Sequence, residues 1–261
     1  MLSRLAEGVR VRLVQASPAK IARFDGPARL ATLSFDDWPR SAWTVAGPVL
    51  ASRGVRATYF TSGGFCGRRL GDLDYFTRDD LLAVREAGHE IACHTFTHAD
   101  LSGLPARAIQ AEFERNAAFL RDAVGEISVA SFAYPFGQVS LAAKRAVAAR
   151  FASGRGIREA MNRGRVDLAQ LSAFGLERYR GPQDPGAWLR RAVEEGSWLH
   201  VFTHDVSPAP SPYGCAPDDL ARFVDAALEA GLRFVTQDEG ARMLSARAEP
   251  PSQCVVLNPE V

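Results

Sequence analysis

The sequence predicts an α/β protein built as a distorted (β/α) barrel of seven or eight strands in a single domain, and three observations predict it. Short apolar runs alternate with longer amphipathic segments, the pattern of parallel strands joined by crossover helices. Eight such runs are present, a number that suits a barrel better than an open sheet. Chemistry-bearing polar residues stand immediately after several of the runs, where the loops of a parallel α/β architecture converge on one mouth. At 261 residues and 47% hydrophobic content the chain is long enough to bury one large core.

Strands are expected at 31–35, 55–60, 90–93, 129–133, 151–153, 174–176, 198–203 and 233–236. Between them, Thr77 precedes Asp79 and Asp80 as an N-cap, and Gly88 follows Ala87 at a C-cap position. Pro105 opens a long helical run to about Val124, closed by Gly125, and Pro217 with Asp218 and Asp219 opens another that ends near Gly231. Residues 1–29 are expected to form an extension packed on the barrel, 30–246 the catalytic domain, and 247–261, with Pro250, Pro251 and Pro259, an irregular tail. No repeat or low-complexity linker marks a second domain.

Lys and Arg number 31 against 30 Asp and Glu, so no bulk charge points to nucleic acid as a partner. Arg, Glu or Gln interrupts every apolar run of the first twenty residues, so neither a secretory signal nor a transmembrane span is expected, and the expected location is cytoplasmic. Cys66, Cys93, Cys215 and Cys254 form no CxxC pair and read as free thiols.

The first strand run stops at Asp36-Asp37, two adjacent carboxylates that need a cation or hydrogen bonds if both are buried. A metal would resolve the repulsion; alternatively one Asp caps the next segment and the other is solvated. The third run ends in Cys93-His94-Thr95-Phe96-Thr97-His98, where two imidazoles four apart can share one side of a helical turn and hold a metal, or be ordinary packed histidines. Residue 95 is Thr, so this is not the HExxH arrangement of zinc proteases, and a carboxylate ligand must come from elsewhere; Asp37 is available.

The fourth run ends in Tyr134-Pro135-Phe136-Gly137, a tight turn that can either aim a backbone N–H at an oxyanion or simply reverse the chain. The late run Trp198–Thr203 ends at His204, placed for proton transfer, with His200 and Phe202 on the same face. His200, two positions deeper, is expected to be a hydrogen-bonded barrel residue, and His89, just before its strand, structural or exposed.

Ser34-Phe35-Asp36-Asp37, His94-xxx-His98, Pro135-Phe136-Gly137 and Phe202-Thr203-His204 follow one another as in the polysaccharide deacetylase family, carbohydrate esterase family 4, and the chain resembles that family from about Leu30 to Thr236. The resemblance implies a divalent-metal hydrolase acting on an N-acylated saccharide. It implies zinc first, with cobalt, nickel or manganese as alternatives. Asp37, His94 and His98 match the metal ligands, Asp36 the general base, His204 the general acid and the Phe136 N–H the oxyanion donor. Tyr134, Pro135, Phe136, Gly137, Phe202 and Arg155 would border the substrate.

The sequence also departs from the family pattern. Ala133 stands where the family carries an Arg that holds the catalytic Asp, so Arg155 is the candidate replacement. Trp38 stands where Gly is usual, the Asp-Trp motif that orients the acid histidine is not evident, and Asp167 is the candidate for that orienting role. Competing readings are a deformylase, a metal-free C–N hydrolase, which the histidines argue against, and a barrel that binds carbohydrate without cleaving it.

Overall fold

The computed structural model describes Val14 and residues 17–24, 27–181 and 183–245, so the expected tail lies outside the described residues. The chain forms twelve described strands: β1 (Ile21–Arg23), β2 (Leu30–Asp36), β3 (Thr58–Thr61), β4 (Arg69–Leu70), β5 (Leu73–Asp74), β6 (Glu90–Cys93), β7 (Ser131–Ala133), β8 (Ser153–Arg155), β9 (Arg165–Asp167), β10 (Phe174–Gly175), β11 (Trp198–Thr203) and β12 (Arg233–Phe234). Eight of them make one curled, parallel sheet in the order β10–β11–β2–β3–β6–β7–β8, with β12 on the early half of β2. These eight correspond to the eight expected strands. The antiparallel pairs β1–β9 and β4–β5 are additions whose runs of two or three residues are too short to show a period of two.

The ring is distorted where β8 and β10 face each other. An irregular stretch crosses there, with Arg155 and Leu171 in an isolated parallel bridge and Gly156 N–H bonded to the Leu171 carbonyl at 2.9 Å. The result is a partly closed (β/α) barrel.

Alternation along β2 sets the two layers. Ala31, Leu33 and Phe35 join the main apolar cluster with Ala42, Leu50, Leu81, Leu120, Leu220 and Phe223 from the surrounding segments, while Thr32, Ser34 and Asp36 are buried on the other face. Inside the barrel Thr32 donates to the Val235 carbonyl at 2.8 Å and accepts from the Trp198 indole at 2.9 Å. Polar residues are tolerated in that interior because they bond to one another.

Helix ends follow the expected signals. Thr77 and Asp80 form a reciprocal capping box on the helix Arg78–Glu86, and Gly88 beyond it takes the left-handed φ of +78° that a Cβ would disfavour. The helices Ala106–Val124 and Pro217–Glu229 begin at Pro105 and Pro217 as expected. No helix among the described residues is long and apolar enough to cross a membrane.

Candidate active site

Asp36 closes β2, and the chain then turns sharply through Asp37 and Trp38, at φ +56° and +26°. Such left-handed residues persist only where the surroundings hold them. Here Trp38 is the holdfast: fully buried, its indole stacks on Phe76 at 4.4 Å between centroids and donates to Thr61 Oγ1 at 3.0 Å. A bulky side chain at the position where the family has glycine therefore anchors the turn from below.

His94 follows β6 directly, but His98 is not brought round by a helical turn. Residues 94–98 form an irregular loop with Thr95 and His98 at positive φ. Glu112, from the helix Ala106–Val124, fixes this loop by accepting from the amides of Phe96 and Thr97 at 2.9 and 2.8 Å, and Thr95 Oγ1 accepts from Ala99 N–H at 2.9 Å. The two imidazole rings end 5.0 Å apart between centroids.

Both rings point Nε2 at one atom. Asp37 Oδ1 lies 3.6 Å from His94 Nε2 and 3.4 Å from His98 Nε2, and this buried oxygen has no hydrogen-bond partner among the described residues. His94 Nδ1 sits 2.8 Å from the Ala133 carbonyl, a contact that requires the proton there and leaves Nε2 free to coordinate. A cation at about 2.1 Å from two tetrahedral ligands separates them by roughly 3.4 Å, so the spacing fits a zinc-sized ion. Burial pushes the two imidazoles down to about 4 and raises the Asp37 carboxyl, so the histidines are neutral at physiological pH, as coordination requires. Asp37, His94 and His98 are the one group of three among the described residues with ligand atoms this close together.

Asp36, beside them in the same cavity, forms a buried ion pair with Arg155 Nη2. Arg155 is completely enclosed, its guanidinium packed 4.9 Å from the Phe60 ring and 4.6 Å from the Phe202 ring. Burial alone would raise the Asp36 carboxyl, but the charge and hydrogen bond of Arg155 hold it below the usual carboxylate value. Arg155 is the register partner of Ala133 on the neighbouring strand, so the cation missing at residue 133 arrives from one strand over.

His204 follows β11 and lies 3.4 Å through Nδ1 from Glu177 Oε1, a carboxylate almost wholly buried and also 2.7 Å from Arg180 Nε. Burial would lower the His204 pKa, yet the Glu177 hydrogen bond and the Asp36 and Asp37 charges push it up to about 9. The contact with His204 expected of Asp167 is made by Glu177 instead. Asp167 is engaged elsewhere, 2.8 Å from buried Lys144 and bonded to the amides of Ala19 and Lys20. Glu177 sits two residues beyond β10, at a strand end like the other site residues, and that position was the sequence signal for it.

His200 is buried as expected but not hydrogen-bonded: neither ring nitrogen has a partner among the described residues, and the ring packs on Trp198 at 4.2 Å. His89 is structural, its Nδ1 accepting from Ala57 N–H at 2.9 Å. Cys66, Cys93 and Cys215 are free.

Pro135–Gly137 form a single turn of 3-10 helix with Phe136 at φ +58°. Its exposed ring lies 4.4 Å from His98, and a Cβ on Gly137 would come within 2.2 Å of Ile157, so glycine is required there. Tyr134 lines the same cavity, but its hydroxyl is turned away to the Ala169 carbonyl at 2.7 Å. The cavity of about 420 Å³ brings together Asp36, Asp37, His94, His98, Tyr134, Phe136, Gly137, Phe202 and His204, while Arg155 supports it from behind.

Comparison with known proteins decides the family. The family described as polysaccharide deacetylase matches residues 24–152. A chitooligosaccharide deacetylase of Sinorhizobium fredii is 36% identical over 196 residues, covering 72% of this chain and 74% of that protein. The chain belongs to the polysaccharide deacetylase family. A chitin deacetylase of Pestalotiopsis sp is 33% identical over 95 residues, and the match spans 30% of that protein and 36% of this one. Two solved structures share the deacetylase fold. One is a family 4 acetyl xylan esterase from Clostridium thermocellum in complex with a cobalt ion, with a TM-score of 0.58, 20% identity and coverage of 83% and 92% of the two chains. The other is a family 4 pseudoenzyme from Bacillus anthracis, with a TM-score of 0.57, 17% identity and coverage of 86% and 69%. Since one fold carries both an enzyme and a pseudoenzyme, the side chains at the mouth must carry the functional argument for this deacetylase.

Proposed function

We propose that this deacetylase removes an N-acetyl group from a sugar unit of a chitooligosaccharide or related polysaccharide, with a divalent ion held by Asp37, His94 and His98. The observation that carries the reading is the unpartnered Asp37 oxygen facing two neutral imidazoles, flanked on one side by a buried Asp–Arg pair and on the other by a Glu–His pair. An ion bound there supplies Lewis acidity toward water and the acyl carbonyl.

Asp36, kept ionised by Arg155, takes the proton from the attacking water. The Phe136 N–H donates to the oxyanion that develops on the acyl carbon's oxygen. His204, held protonated and oriented by Glu177, gives its proton to the sugar nitrogen as the C–N bond breaks, because an amine leaves as a neutral or protonated species. The proton taken at Asp36 and the one released at His204 balance over a turnover, with acetate and the amino sugar as products.

We extend the proposal to zinc as the resident ion, to the cytoplasm as the compartment and to 30–246 as the catalytic domain. The test is release of acetate or formate from a panel of N-acyl sugars, with metal content measured on the same preparation. Stoichiometric saccharide binding with no acyl release from any of them would replace this reading by a carbohydrate-binding one.

A further inference from the structure

One stripe of the helix Ala106–Val124 packs against the two loops beside the metal ligands. Glu112, Arg115, Asn116 and Phe119 share a helix face, since residues three or four apart stack over one another. Three of the four are polar. Asn116 is completely buried, where an unpaired amide would be destabilising.

That amide is engaged through its oxygen and its nitrogen. Asn116 Oδ1 accepts from Gly63 N–H at 2.9 Å, and Nδ2 donates to the Thr61 carbonyl at 2.8 Å and to Cys93 Sγ at 3.2 Å. Thr61 and Cys93 are register partners at the ends of β3 and β6, so Asn116 sits where those strands part. Each leads directly to a metal ligand. Cys93 precedes His94, and Thr61 Oγ1 accepts from the Trp38 indole that anchors the Asp37 turn, at 3.0 Å.

The loops beyond the two strands are tied to each other and to the same helix. The Ser62 hydroxyl donates to the His94 carbonyl and Gly64 N–H to the Phe96 carbonyl, both at 2.8 Å. A Cβ on Gly64 would fall 2.8 Å from that carbonyl oxygen, so glycine permits the close approach. On the helix side, the Arg115 guanidinium lies 3.9 Å from the centre of the Phe96 ring. Glu112 holds the Phe96 and Thr97 amides through one carboxylate oxygen and the Thr97 hydroxyl, at 3.0 Å, through the other.

We propose that Asn116 and Glu112 are positioning residues that set the spacing of the metal ligands. Asn116 ties the Asp37 turn to the start of the His94 loop, and Glu112 fixes the end of that loop that carries His98. Among the described residues neither is hydrogen-bonded to Asp37, His94 or His98, so both act through the backbone. The inference rests on the metal-dependent reading above.

Its test is zinc affinity, by competition with a chromophoric chelator, together with the visible absorption of the cobalt-substituted protein. Both are measured on the native chain, Glu112→Ala, Glu112→Gln and Asn116→Leu, with circular dichroism of each metal-free protein as the check on folding. Glu112→Ala and Asn116→Leu should weaken zinc binding about 10- to 100-fold and alter the cobalt bands, the range seen when a group that orients a ligand is lost. Glu112→Gln keeps an oxygen for the two amides and should recover most of the affinity. Where Asn116→Leu does not fold, Asn116→Asp replaces it, keeping the acceptor for Gly63 and removing both donors. Native affinity with an unaltered cobalt spectrum in folded Glu112→Ala, or in the folded Asn116 variant, would overturn that residue's role. Equal impairment of Glu112→Gln and Glu112→Ala would overturn the account of how Glu112 acts. A native chain that binds neither zinc nor cobalt would instead overturn the metal-dependent reading itself.

Discussion

Replacing Arg155 by Leu tests how the base is held. The side chain is fully enclosed, its guanidinium forms the ion pair with Asp36, and the aromatic rings of Phe60 and Phe202 leave water no easy route to the gap. Removing one partner of a buried pair strands the other charge, at a cost of about 3–5 kcal/mol. The carboxyl can escape that cost by taking up a proton, so the perturbation appears in two places. In the native protein Asp36 lies below its ordinary value; its contribution to stability is therefore present above the unfolded-state pKa near 3.8 and is lost as pH falls through the lower folded value. In Arg155→Leu the burial term is left unopposed by its main partner, the Asp36 pKa rises, and the acid limb of kcat/KM moves to higher pH.

The assays are urea unfolding at pH 7 and a pH–rate profile on the metal-loaded protein. Because Ala133 is the register partner of Arg155, Ala133→Arg in the Arg155→Leu background should move the acid limb back toward the native position. An acid limb that does not move in Arg155→Leu, in protein that still binds metal, would refute the argument that this guanidinium keeps Asp36 ionised.

Further outcomes follow from the neighbouring groups. Asp37→Ala and His98→Ala should each lose bound metal by elemental analysis, whereas Asp36→Asn should retain metal and lose turnover; metal loss in the Asp36 variant would reverse the two aspartates' roles. Glu177→Gln removes the hydrogen bond that helps raise His204 to about 9, so the basic limb should shift to lower pH with metal content unchanged. For the native protein the same raised value contributes stability that is complete below pH 6.5 and fades as pH climbs through about 9, which thermal unfolding across that range would register. Trp38→Gly should cost about 3–5 kcal/mol for the emptied space, less roughly 1 kcal/mol recovered by relieving the positive φ, as read by urea unfolding. A net cost near zero would show that Trp38 does not anchor the Asp37 turn.

The strand ends carried most of what could be read in advance. Side chains in a parallel barrel must emerge at one mouth when they directly follow a buried apolar run, so Asp36, Asp37, His94, Phe136 and His204 were legible from chain position together with the family motifs. The alternation of β2 was legible for the same local reason, each residue's face being fixed by a period of two.

What the sequence left open depends on which distant strands become neighbours. Arg155 and Ala133 are 22 positions apart, and only the pairing of β7 with β8 makes one a substitute for the other. Asp167 closes one short strand and Glu177 follows another, but folding sends Glu177 to His204 and Asp167 to Lys144. The left-handed loop that joins His94 to His98 is held by Glu112 from a separate helix, so spacing alone suggested a helical turn that does not form. Sequence determined which groups reach the mouth, because that is set by each strand's own pattern. Tertiary structure decided which of them pair, because charge and hydrogen bonding act through space between segments whose separation along the chain carries no such information.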